Sequence, residues 1–73
     1  MNATQKELQA KMLETCRKQT TENLIYMAHT FNKQDSDDVI VAEMQVLRAL
    51  EERMTEAQFL ELMKELDAEL DAA

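Results

Sequence analysis

Residues 36–55 read Ser36-Asp37-Asp38-Val39-Ile40-Val41-Ala42-Glu43-Met44-Gln45-Val46-Leu47-Arg48-Ala49-Leu50-Glu51-Glu52-Arg53-Met54-Thr55. A serine followed by two acids suits a helix start. The hydroxyl accepts from unpaired backbone amides, and the acids favour the positive end of the dipole. At ~100° per residue, Val39, Ile40, Met44, Val46, Leu47, Leu50 and Met54 spread over more than half the helical wheel. A helix apolar on so much of its surface is packed on two sides. The stretch therefore predicts a central helix over 37–53, entered from a loop at Gln34-Asp35-Ser36.

Downstream, the same wheel cannot simply continue. Carried through Thr55, the apolar stripe moves by roughly 150°. A straight helix would point its two halves in opposite directions. A turn near Met54-Thr55 repairs this within one chain; a second chain covering the other face is the alternative. Thr55-Glu56-Ala57-Gln58 fits a capping box, so a further helix is expected over 56–70. Its core face is Phe59, Leu62, Met63, Leu66 and Leu70.

Upstream, Thr4-Gln5-Lys6-Glu7 fits another capping box. Leu8, Met12, Leu13, Cys16, Leu24, Met27 and Phe31 fall in one arc of roughly 160°. The stripe stays in phase, so one helix over 5–33 is expected, about 43 Å long at ~1.5 Å per residue. A break at Thr20-Thr21 is the rival reading, since Thr is a fair N-cap and a mediocre interior residue. The expected fold is all-α. It is a single helical domain over 1–73, either a small three-helix bundle or a long helical hairpin, and it dimerises.

Composition narrows the chemistry. The 73 residues contain no Gly, no Pro and no Trp. Phosphate-cradling loops and dinucleotide fingerprints are built from Gly, so both are excluded. One cysteine cannot close an intramolecular disulfide. No apolar run approaches the roughly 20 residues of a membrane span, and the polar start lacks a signal-peptide pattern. A cytoplasmic protein with no membrane contact is expected.

Cys16 and His29 are the nucleophile–base and soft-ligand candidates. On a continuous wheel Cys16 falls in the apolar arc and His29 roughly 220° away. Cys16 is read as a core residue and His29 as a surface one. Asp35-Ser36-Asp37-Asp38 resembles the start of a calcium loop. That loop needs Gly at its sixth position and Glu at its twelfth, and here those are Ile40 and Val46. Neither a metal, nor a cofactor, nor a catalytic constellation is assigned.

Charge is distributed unevenly. Residues 1–34 carry five bases and three acids, while residues 35–73 carry three bases and twelve acids, giving −7 for the chain. Glu61, Glu65 and Glu69 recur at four-residue spacing, with Asp67 and Asp71 beside them. Like charges so spaced destabilise an isolated helix, and acids near its C-terminus oppose the dipole. This acidic ridge is the candidate partner-binding surface. Ile25, Tyr26, Val46, Leu50 and Met54 are the candidate apolar interface. The expected function is a non-enzymatic protein–protein interaction module. It would be a small acidic regulator, inhibitor or adaptor of the bacterial or phage type, binding a protein with a basic surface. Direct nucleic-acid binding is not expected, because phosphates demand Lys and Arg. The alternatives are a nucleic-acid mimic that blocks a basic nucleic-acid-binding protein, and a helical assembly or secretion chaperone.

Overall fold

The computed structural model describes residues 3–72. They form α1 (Ala3–Arg17), α2 (Thr21–Asn32), α3 (Asp37–Arg53) and α4 (Glu56–Ala72). Helix α3 is central, as its wide apolar arc predicts: α1, α2 and α4 all pack on it. Helix α4 also touches α2, while α1 packs chiefly on α3.

Local chemistry explains the boundaries of α3 and α4. Ser36 Oγ accepts from the Val39 amide at 3.2 Å, and Asp37 and Asp38 occupy the first turn of α3. Met54, extended at φ −93° and ψ 153°, ends α3. The predicted capping box then forms in both directions. Thr55 Oγ1 accepts from the Gln58 amide at 3.2 Å, and Gln58 Oε1 accepts from the Thr55 amide at 3.0 Å.

The first helix departs from expectation. Residues 5–33 are not one helix but two, separated at residues 18–20. The bundle therefore has four helices rather than three, and the long hairpin is ruled out. An unbroken helix of about 43 Å would exceed the longest dimension of the fold, 36 Å. The break is held from both sides. Thr20 Oγ1 accepts from the Asn23 amide at 3.1 Å, capping α2. Across the gap, the Arg53 guanidinium donates to the carbonyls of Arg17 and Gln19 at the open end of α1, and to that of Cys16, which also accepts from the Gln19 amide. Thr4 is also reassigned. It lies inside α1, which already includes Ala3, and so does not cap it.

The core comprises Cys16, Leu24, Ala28, Val46, Ala49, Leu50, Leu62 and Leu66. Every helix supplies at least one member. Ile25, which a continuous wheel places on the charged side of the first helix, instead joins the core's edge. The break explains this, because α2 restarts its helical phase at Thr21 and turns Ile25 inward. Val46 and Leu50 are 1% and 0% exposed, so the structure removes both from the candidate apolar interface. Val46, Leu47 and Leu50 of the wide α3 arc are covered by the same chain, whereas Ile40 and Met44 of that arc stay exposed. Among the described residues one polar side chain is interior: Gln45 is buried, and its Oε1 has no hydrogen-bond partner among them.

Candidate functional site

Helix α4 turns Leu62 and Leu66 into the core. This orientation fixes where its acids lie. Glu61, Glu65, Asp67 and Asp71 are exposed, whereas Glu69 is half-buried. The structure therefore divides the ridge of Glu61, Glu65 and Glu69. His29 Nδ1 hydrogen-bonds Glu69 Oε1, and His29 Nε2 lies 3.8 Å from Glu65 Oε2. Lys33 Nζ stands 4.0 Å from Glu69 Oε2. One residue away on α2, Asn32 Nδ2 donates to the Leu66 carbonyl at 2.9 Å.

The C-terminal half of α2 thus clamps α4 through polar contacts. The continuous-helix wheel places His29 among ordinary surface residues; the structure corrects this. With the phase reset at Thr21, His29 falls on the flank of α2 that meets α4. His29, Asn32 and Lys33 are residues the sequence reading missed. Three acids spaced by four on α4 were the signal that a basic flank belonged opposite them. Part of the like-charge row that is unfavourable in an isolated helix is engaged within the chain, where the His29 ring and Lys33 meet Glu69.

Two shallow clefts border this flank. Glu61 and Glu65 line one with Thr21, Ile25, Arg53 and Met54. Asp35, Lys33, Glu69 and Leu70 line the other, at the α2–α3 loop. The loop acid Asp35 therefore extends the acidic surface of α4 around one end of the bundle. Among the other candidate residues, Tyr26 is 69% exposed and Met54 is half-buried against the core. They do not form one patch with Val46 and Leu50, which are interior.

Elsewhere the electrostatics are structural. Arg17 and Glu52 form a fork, with Nε to Oε1 at 2.9 Å and Nη2 to Oε2 at 2.7 Å. The hydrogen bonds from Arg17 hold the Glu52 carboxyl below its ordinary range. Both groups are solvent-exposed, so the pair ties α1 to α3 with little net stability. Burial pushes the Cys16 thiol up, and Arg53 opposes this only in part. A thiol held protonated is a poor nucleophile, and the His29 ring nitrogens are engaged with α4. No group of three or more His, Cys, Asp or Glu able to hold a metal occurs among the described residues. None of their helices is long and apolar enough to cross a membrane.

Glu43 gives a pH test. Its Oε2 is buried without a hydrogen-bond partner among the described residues, and desolvation raises its pKa above the ordinary 4.5. The folded chain then holds this proton more tightly than the unfolded chain. Stability contributed by the neutral acid is lost as pH rises from 4.5 through the raised value. Glu43→Gln removes that slope. Urea unfolding should show the variant at least as stable as the parent at pH 7, with its relative advantage lost by pH 4. A variant less stable at pH 7 would show that the carboxylate has a stabilising partner.

Compared with models of protein families, with curated proteins and with solved structures, the chain matches none.

Proposed function

We propose that the chain is a non-enzymatic protein–protein interaction module, a small acidic regulator, inhibitor or adaptor. Its partner presents a basic surface to α4. The observation that carries this reading is the division of the acidic ridge. Glu69 serves the fold through His29 and Lys33, while Glu61, Asp67 and Asp71 stay exposed without an ion pair among the described residues. Uncompensated carboxylates on a helix clamped in position give a preorganised anionic face. Such a face steers a basic partner and favours specificity and association rate. Self-association belongs to the same reading: Ile40, Met44, Leu60 and Leu70 are large apolar side chains left exposed, and a homodimer would cover some of them. A cytoplasmic setting suits a chain with one buried cysteine.

The nucleic-acid-mimic reading is the weaker one, because Glu69, engaged by His29 and Lys33, interrupts the exposed row of carboxylates. The test is affinity capture with the parent chain and with the triple variant Glu61→Lys, Asp67→Lys, Asp71→Lys. A partner held by the parent at low salt should be lost by the variant. It should also be released as the Debye length shrinks toward ~3 Å at 1 M salt. Equal retention by the triple variant would refute the acidic-face reading.

A further inference from the structure

Helices α1 and α2 both lean on the central helix α3, and α1 packs far more on α3 than on α2. A groove of about 430 Å³ opens between them. Leu8 and Met12 of α1 form one wall, Met27 and Phe31 of α2 the other, and Cys16 and Val46 the floor. Leu8 is 57% exposed at the rim, whereas Cys16 is 6% exposed at the base. From Leu8 to Thr15, the α1 wall runs about 10 Å, or roughly two helical turns. A second cleft, lined by Gln5, Gln9, Asp38 and Val41, shares Leu8 and Met12 with this groove.

The groove's charge is opposite to that of the chain. Lys11 is the one charged side chain in its lining, and no carboxylate is present there. Thr15 is the other polar member of the wall. In a protein of net charge −7, this apolar slot has a cationic edge.

We infer that the α1–α2 groove receives an amphipathic helix of a partner protein, with an apolar stripe on Cys16 and Val46 and a carboxylate flank toward Lys11. A helix laid between α1 and α2 would supply the helix–helix packing that is sparse between them. Apolar anchors at i, i+3, i+4 and i+7 match a two-turn slot, and methionines adapt to such anchors. Charge complementarity selects the acidic flank. The inference is independent of the acidic face of α4, which takes the opposite charge; together the two surfaces would make the chain a bridge between unlike partners.

Cys16, the one cysteine of the chain, reports on the groove floor. The probe is a synthetic amphipathic helix of about four turns, with leucine anchors and glutamate flanks. A control peptide carries lysine flanks. Cys16 alkylation by iodoacetamide is followed by mass spectrometry. The glutamate peptide should slow alkylation at least tenfold, and the lysine peptide should not, although the overall charge attracts it. Lys11→Glu should reverse the preference. Leu8→Glu, at an exposed rim position, should abolish binding of the labelled glutamate peptide by fluorescence anisotropy. Protection by neither peptide, or equal protection of the parent by both, would overturn the inference. So would protection of Cys16 that rises with protein concentration alone, because a second copy would then occupy the groove.

Discussion

Leu50→Ala should lower the stability of the fold by about 2–5 kcal/mol. Leu50 is fully buried on α3, the helix every other helix packs against. Truncating a buried leucine costs about 2–5 kcal/mol, with the upper part of that range where the site cannot collapse. Here several elements converge, so collapse would have to move more than one of them. A domain of this length has total stability of roughly 4–11 kcal/mol, from ~0.05–0.15 kcal/mol per residue. The substitution thus removes from about a fifth to all of what holds the fold. Leu60→Ala, at a position 54% exposed on α4, is the matched control. It should stay within about 0.5 kcal/mol of the parent. Urea unfolding followed by circular dichroism separates the two. Similar midpoints for both variants would mean that α3 is not the core element described.

The contrast between these leucines shows what was legible in the sequence. Leu50 and Leu60 have the same side chain, and only the phase of their helices distinguishes them. For α3 and α4 the phase was readable, because Ser36 and Thr55 mark the starts and the apolar sets follow without interruption. Helix α3 occupies the predicted residues, and Leu62 and Leu66 are buried as the α4 wheel requires. For residues 5–33 the wheel misled for a specific reason. The break at residues 18–20 leaves Leu8, Met12, Cys16, Met27 and Phe31 close in space, now on two helices around one groove. The apolar set survives the break, so its periodicity could not reveal it. What changes is the position of Ile25 and His29, which turn toward the core edge and α4. The site was half legible for the same reason. The acids of α4 were visible as a row, but their basic counterparts lie on a helix whose phase was misassigned. Arg53, which closes the break from 34 residues away, left no local signal at all.

That long-range closure is the basis of the second large effect. Arg53→Met should lower stability by about 1–2 kcal/mol and loosen the end of α1 selectively. The guanidinium reaches the carbonyls of Arg17 and Gln19, where the helical ladder of α1 has ended, and that of Cys16, which the Gln19 amide also bonds. Hydrogen bonds to charged groups contribute about 1.5–3 kcal/mol, and a cation at a helix C-terminus also meets the negative end of the dipole. Arg53 is exposed, so water competes and the lower end applies. Methionine keeps most of the apolar stem, which isolates the loss of the fork. Arg53→Lys should recover only part of the loss, because one ammonium cannot span carbonyls that a planar fork reaches together. Thr20→Ala removes the cap on the other side of the break, at about 1 kcal/mol, and should loosen the start of α2 instead. For a domain of this size 1 kcal/mol corresponds to roughly 4–8 °C in Tm. Amide exchange locates the effect: in Arg53→Met, protection should fall over residues 14–19 while Val46, Ala49 and Leu50 stay slow. Unchanged Tm with unchanged exchange at those residues would show that Thr20 alone holds the break. Uniform loss across α3 would show instead that Arg53 acts on the core, and that the interhelical fork is incidental.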